Sequence, residues 1–89
     1  MKLSLHFYVS GRVQGVFFRM HTRQQAQRYN LSGWVRNLPD GRVEGVASGD
    51  ASDVKSFYAW LQQGPDLARV ADVEVEELEF REFDGFTIK

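Results

Sequence analysis

The stretch VSGRVQGVFFR, residues 9–19, joins the end of an alternating strand pattern to the start of a helical one. Glycines at positions 11 and 15 allow the backbone to bend so that several N–H groups can point inward. The N-terminus of the following helix adds partial positive charge, and Arg19 offers a planar guanidinium that matches phosphate oxygens. These features predict an oxyanion-binding loop. A glycine and a basic residue also occur at strand–helix turns for backbone reasons alone, and that interpretation stays open here.

Regular secondary structure is predicted on both sides of this loop. Residues 3–9 alternate apolar and polar side chains, which predicts a half-buried strand. His6 falls on its polar face, where a solvent-facing structural histidine is expected rather than a ligand. Residues 19–30 are rich in good helix formers and predict a helix, with His21 on its solvated side. A minor electrostatic role of His21 near the loop stays open. The thin buried stripe of this helix is expected to be Thr22, Ala26 and Tyr29.

A β-hairpin is predicted after the first helix. Residues 34–38 form its first strand, residues 39–41 (Pro-Asp-Gly) give a strong turn signal, and residues 42–47 form the returning strand. Asn37 stands near the end of the first of these strands. An asparagine beside a turn commonly bonds its own backbone, and this structural interpretation competes with a functional one.

The clearest helical pattern comes next. Asp50 is expected to be its N-cap, and Gly64 followed by Pro65 is expected to end it. Apolar residues at the i, i+3, i+4, i+7 spacing of one helical face predict that this face is buried in the core rather than used to hold a ligand. Its members are Ala51, Val54, Phe57, Tyr58 and Leu61.

Two more strands are predicted near the C-terminus. Residues 70–76 alternate, but the alternation slips at Glu76 and Glu77, which predicts a β-bulge or the end of the strand there. The glutamates between positions 74 and 82 indicate a solvated, charged sheet edge. Paired acid catalysis is the alternative interpretation, with no other feature in its favour. Residues 86–88 predict a short final strand.

The order of elements predicts the fold. β-α-β-β-α-β with a short terminal strand is typical of a ferredoxin-like α+β sandwich, an antiparallel sheet with two helices on one face. We expect one such domain over residues 1–89. A right-handed crossover leaves room for the third strand between the first and the second. The loop and the end of the second strand can then approach each other, which would bring Arg19 and Asn37 into one site.

Composition excludes several classes of protein. The 89 residues have a net charge of −1, so no overall field attracts nucleic acid. The absence of cysteine excludes a disulfide framework, thiolate zinc sites and a cysteine nucleophile. No apolar run approaches the roughly 20 residues that span a bilayer, and the N-terminus is too short and too polar for a signal peptide. We therefore expect a cytoplasmic monomer without a membrane or nucleic-acid partner.

Two segments together resemble the signatures of the acylphosphatase family. Residues 9–19 resemble its phosphate-loop signature. Residues 33–37 (GWVRN), with Gly41, Val43 and Gly49 at the matching spacing, resemble its second signature. Both segments lie in the first half of the chain, and the length and the order of elements agree over the rest.

The resemblance implies a small enzyme that hydrolyses the carboxyl–phosphate bond of acyl phosphates, releasing inorganic phosphate, with no metal and no cofactor. By position, Arg19 is similar to the family's catalytic arginine and Asn37 to its water-positioning asparagine. Acetyl phosphate, 1,3-bisphosphoglycerate, carbamoyl phosphate and the laboratory compound benzoyl phosphate are substrates typical of the family. The amides expected to bind the phosphate are those of Val13, Gln14, Gly15, Val16, Phe17 and Phe18.

Three other functions stay open at this point. An RNA-binding domain of this fold would stack bases on Tyr8 and Trp34, but the aromatic consensus of such domains is missing and the net charge is acidic. A non-catalytic or carbamoyl-phosphate-handling module of a larger maturation enzyme is disfavoured by the intact Arg19 and Asn37 and by the absence of any sign of a longer parent. A regulatory ligand-binding domain would bind phosphate without turning over acyl phosphates.

Overall fold

Seven elements make up the computed structural model, which describes all of residues 1–89. They are β1 (Lys2–Arg12), α1 (Phe18–Arg28), β2 (Ser32–Asn37), β3 (Val43–Asp50), α2 (Ala51–Gln63), β4 (Arg69–Leu78) and β5 (Phe86–Ile88). The predicted order, β-α-β-β-α-β with a short terminal strand, is confirmed. Neither helix is long and apolar enough to cross a membrane.

The strands form one five-stranded sheet in the order β4-β1-β3-β2-β5, so β3 lies between β1 and β2 as predicted. Four strands pair antiparallel, but β5 pairs parallel to β2. The sheet is therefore mixed, whereas an antiparallel sheet was expected throughout. The reason is that the chain leaves β4 near the start of β1 and crosses to the start of β2, where Arg81 N donates to Ser4 Oγ and Phe83 N to Ser32 Oγ. From that end, β5 can run only in the direction of β2.

Both helices cover the same face of this sheet. α1 packs on β2 and β5, and α2 packs on β1, β3 and β4. Phe57 of α2 meets Phe7 of β1 edge to face, with ring centroids 5.7 Å apart, and both side chains are fully buried. Of the expected stripe, Thr22 and Ala26 are buried, whereas Tyr29 is the C-cap after α1 and is only partly buried. Burial of apolar side chains such as Phe7 and Phe57 is the main force that holds the helices on the sheet.

Strand β4 corrects the prediction of an irregularity at Glu76 and Glu77. The pairing with β1 runs without a break from Asp72 to Leu78, and the register shift lies instead between Ser10 and Gly11. Glu77 pairs with Leu5, so its side chain lies on the helix side of the sheet, where the other residues of β4 are apolar. The alternation is therefore interrupted by a charged residue and not by a shift of the register. A carboxylate is tolerated there because β4 is an edge strand and Glu77 is exposed.

Asp50 occupies the predicted N-cap position of α2, but its side chain makes no capping hydrogen bond. The carbonyl oxygen of Met1 accepts a hydrogen bond from the N–H of Ala51 at 2.9 Å instead. The chain start therefore satisfies one of the free N–H groups of this helix end, which the local sequence pattern could not indicate.

The face of the sheet opposite the helices carries a buried carboxylate. Glu44 Oε2 accepts from His6 Nε2 at 2.8 Å, and Glu44 Oε1 accepts from Arg36 Nε at 2.7 Å. Burial by itself would raise the pKa of the Glu44 carboxyl, but hydrogen bonds from His6, Arg36 and Tyr8 outweigh burial and hold the pKa below its ordinary value. The same contact raises the pKa of Tyr8. His6 is thus a structural residue, as expected, with a carboxylate partner that the sequence did not indicate.

Replacing Glu44 by glutamine should make stability less dependent on pH. The depressed pKa means that this carboxylate stabilises the fold fully above its ordinary pKa of 4.5 and loses that contribution as the pH falls through the lower, folded-state value. At neutral pH we expect Glu44→Gln to lower the free energy of unfolding by about 1.5–3 kcal/mol. Urea denaturation at a series of pH values should show this gap narrowing below pH 4.5. A gap that stays constant on the acid side would contradict the assignment.

Candidate active site

A cavity of about 310 Å³ opens where the loop between β1 and α1 meets the ends of β2 and β5. Its wall brings Arg19 and Asn37 together, two residues that lie on different elements. This is the juxtaposition that the predicted topology allowed. The full wall consists of Val13, Gln14, Gly15, Phe17, Phe18, Arg19, Met20, Asn37 and Ile88.

The loop presents free backbone donors. No N–H group from Val13 to Phe18 donates a hydrogen bond to another backbone group. Gly15 has φ +72°, and a side chain there would meet no atom within 4 Å, so the turn requires glycine for its conformation and not for space. The residues predicted to bind phosphate line the cavity with one exception, Val16, whose side chain is buried in the core. The loop thus has the donors that an oxyanion requires.

The start of α1 lacks the features that normally stabilise a helix N-terminus. Its N-cap residue is Phe17, which makes no side-chain capping hydrogen bond, and its first turn contains no acidic residue. Arg19 instead places a positive charge in that turn. A cation at the positive end of the helix dipole is unfavourable, and the first N–H groups of a helix need acceptors. A bound anion would resolve both conflicts.

Arg19 has no aspartate or glutamate partner. Its Nη1 donates to the main-chain oxygen of Lys89 at 3.3 Å, and the ion pairs between side chains do not include Arg19. A guanidinium has five N–H donors, so most of its hydrogen-bonding capacity is left for a ligand. The contact with Lys89 ties the side chain to the end of β5.

Asn37 carries an unsatisfied polar atom. It shares the helix side of β2 with Val35, because side chains alternate along a strand. Its Oδ1 is buried and has no hydrogen-bond partner. The structural interpretation, in which this side chain bonds the adjacent turn, therefore does not account for Asn37. Since an unpaired buried acceptor costs about 1–3 kcal/mol, a donor supplied by water or a ligand would stabilise the site.

Gln14 connects the loop to the hairpin beside Asn37. Its Nε2 donates to the carbonyl oxygen of Leu38 at 2.9 Å and to that of Arg42 at 3.0 Å. The same two residues close the hairpin turn, since Leu38 N donates to Arg42 O. The sequence pattern predicted a role only for the backbone amide of Gln14. Its side chain fixes the distance between the loop and the strand that carries Asn37.

Met20 and Ile88 also belong to the cavity wall, although the sequence pattern did not indicate them as site residues. Met20 follows Arg19 directly and could have been found from its place in the first helical turn. Ile88 lies beside Val35 in the parallel pairing of β5, so its position depends on a strand pairing that was not predicted. His21 is not part of the wall.

The two aromatic residues that an RNA-binding surface would use are covered by cations of the protein itself. The Arg42 guanidinium lies 4.7 Å from the ring centroid of Tyr8, and the Lys89 ammonium lies 4.5 Å from that of Trp34. Such contacts occupy ring faces on which bases would stack. The arrangement gives no support to the RNA-binding alternative.

Comparison with known proteins identifies the family. The model of the family described as Acylphosphatase matches residues 5–88. An acylphosphatase of Pseudomonas paraeruginosa is 52% identical over 88 residues, which are 99% of this chain and 97% of that protein. The solved structure of an acylphosphatase from Coxiella burnetii superposes with a TM-score of 0.95 at 40% identity, covering 99% of this chain and 93% of the other. For the crystal structure of acylphosphatase from Bacillus subtilis, the TM-score is 0.94 at 36% identity, with 98% of each chain covered.

Proposed function

The chain belongs to the acylphosphatase family and is an enzyme of that kind, and on this premise we propose how it acts. The phosphoryl group of an acyl phosphate binds to the amides of the loop and to Arg19. A water molecule held by Asn37 then attacks the phosphorus atom. The products are a carboxylate and inorganic phosphate, and no metal ion takes part.

The observation that carries the proposal is the concentration of unpaired donors at one cavity. The N–H groups of residues 13–18 have no backbone acceptor, and Arg19 has no aspartate or glutamate partner. An acyl phosphate carries its negative charge on the phosphoryl oxygens, which are the acceptors that such donors require. Donors held in place before the substrate arrives also need no reorganisation when charge develops during the reaction.

The chemistry of the substrate explains why so few residues are enough. The leaving group is a carboxylate of low pKa, so it departs without being protonated and no general acid is needed. Phosphoryl transfer through a loose transition state depends mainly on positioning and on stabilisation of the equatorial oxygens. The loop amides and Arg19 supply that stabilisation, which is the part that metal ions play in other phosphoryl-transfer enzymes.

Asn37 is proposed to hold the attacking water. Its free Oδ1 is an acceptor without a partner, and water can donate to it. The water oxygen forms the new bond to phosphorus as the bridging P–O bond breaks, and the electron pair of that bond leaves with the carboxylate. The proton of the water passes to a phosphoryl oxygen of the substrate. No covalent intermediate with the protein forms.

The substrate is proposed to be a small-molecule acyl phosphate. A cytoplasmic location and a monomeric state stay predictions, which fractionation of cells and light scattering on the purified protein would test.

Hydrolysis of benzoyl phosphate after dialysis against EDTA tests the proposal. We expect turnover that chelation does not change and that added Mg²⁺ or Zn²⁺ does not increase. Activity that disappears with EDTA and returns with a metal ion would overturn the metal-independent mechanism. A folded protein that binds inorganic phosphate but hydrolyses no acyl phosphate would point to the regulatory ligand-binding alternative.

A further inference from the structure

Phe17 adopts a backbone conformation that phenylalanine rarely adopts. Its φ is +59° and its ψ is 25°, in the left-handed region. This region is unfavourable for residues with a bulky side chain, and glycine or asparagine occupies it with much less strain. The backbone of the loop therefore gives no reason for a phenylalanine at this position.

Core packing gives no reason for it either. The side chain of Phe17 is 68% exposed, although its neighbours Val16 and Phe18 are buried. Phe17 takes part in none of the aromatic ring pairs of the protein. Two unfavourable features thus coincide at one residue of the cavity wall, and strained residues of this kind concentrate where a ligand binds.

Phe17 does not stand alone on the wall. Met20 is 38% exposed, lies in the first turn of α1 and lines the same cavity as Phe17. The cavity therefore has two kinds of lining. One consists of the loop amides, Arg19 and Asn37, and the other is an exposed apolar rim formed by Phe17 and Met20.

We propose that this rim, Phe17 with Met20, is the subsite for the acyl group, and that it favours acyl phosphates with an aromatic or other large apolar acyl group over acetyl phosphate. The inference rests on the proposed function, because a phosphoryl group on the loop amides leaves the acyl group to extend along the rim. A planar ring can stack on or meet the edge of the Phe17 ring, and the flexible Met20 adapts to its shape. An acetyl group offers these side chains only a methyl group.

The test compares kcat/KM for benzoyl phosphate and acetyl phosphate in the wild type and in Phe17→Asn. Asparagine tolerates the left-handed region, so the loop keeps its conformation while the ring is removed. The benzoyl-to-acetyl ratio should fall by roughly tenfold, the scale on which apolar pocket contacts discriminate substrates, and mainly through KM. Met20→Ala should lower the same ratio by a smaller factor.

Leu67→Asn is the matched control, because Leu67 is also 68% exposed and lies outside the cavity wall. It should leave both rates at the wild-type level. A ratio that stays within about twofold of wild type in both rim variants would overturn the subsite. So would an equal loss for both substrates in Phe17→Asn, which would make Phe17 a structural residue of the loop. Failure of the wild type to hydrolyse either compound would instead refute the proposed function, and the subsite with it.

Discussion

Arg19→Lys is expected to lower kcat/KM for benzoyl phosphate by roughly 10²–10³-fold, the loss typical of removing one preorganised donor from a transition-state site. A guanidinium donates two parallel hydrogen bonds from a planar fork, whereas an ammonium is a compact point charge that cannot reproduce this geometry. Arg19 also donates to the Lys89 carbonyl, which restricts where its fork can lie. Keeping the positive charge is therefore not expected to keep the activity. Steady-state rates with benzoyl phosphate measure the effect.

Arg28→Lys is the control for this experiment. Arg28 lies in the last turn of the same helix, is exposed and is not part of the cavity wall. The same chemical change at that position should leave the rates unaltered. If Arg19→Lys kept most of the wild-type activity, a bidentate role of Arg19 on the phosphoryl group would be wrong.

Asn37→Ala should lower kcat by about 10²-fold, since loss of the group that orients a reactant has effects on this scale. Binding of inorganic phosphate, measured as product inhibition, should change far less, because the loop amides and Arg19 remain. The free energy of unfolding should stay the same or rise, because the variant removes a buried acceptor that has no partner. A loss of activity without a loss of stability distinguishes a functional asparagine from one that closes a turn.

Asn37→Asp provides the comparison for that prediction. It keeps the size of the side chain but places a negative charge beside the phosphate, so phosphate binding and kcat should both fall. If Asn37→Ala weakened phosphate binding as much as it lowered kcat, Asn37 would be a binding or structural residue. The water would then have to be held by another group.

The sequence predicted most of the fold because its local signals agree with one another. The alternation in residues 3–9 and the helical spacing from Ala51 to Leu61 depend only on which side of an element faces the core. The direction of β5 could not be predicted in this way. It follows from the end of the sheet at which the chain crosses, where Ser4 and Ser32 accept from Arg81 and Phe83. Likewise, Glu77 interrupts the pattern of β4 because an edge strand has few positions that must be apolar.

The residues of the candidate site also fall into two groups, those that a local motif predicts and those that only the tertiary structure brings together. Arg19 and Asn37 could be proposed from two short motifs, because each motif includes the backbone that presents the side chain. Other features of the site join residues that are far apart in the sequence. They are the hydrogen bond from the Gln14 side chain to Leu38, the hydrogen bond from Arg19 to Lys89, and the place of Ile88 in the cavity wall. No local pattern in the sequence predicted them.

Several residues of the site are unfavourable for the stability of the fold. Phe17 is in a strained conformation, Arg19 lies at the positive end of a helix, and Asn37 Oδ1 is unpaired. Unfavourable features also occur outside the cavity wall, at Glu77 on the helix side of β4 and at the buried, unpaired Thr22 Oγ1. Three locally unfavourable residues nevertheless meet at one cavity, which is where a ligand site is expected.

The most direct test of the central claim is the fate of the water oxygen. Benzoyl phosphate is hydrolysed by the protein in water enriched in ¹⁸O, with the uncatalysed reaction subtracted, and both products are analysed by mass spectrometry. Attack at phosphorus in the loop predicts that the label enters inorganic phosphate and that benzoate stays unlabelled. Label in the benzoate would mean that water attacks the carbonyl carbon, and it would contradict the roles proposed for the loop, Arg19 and Asn37.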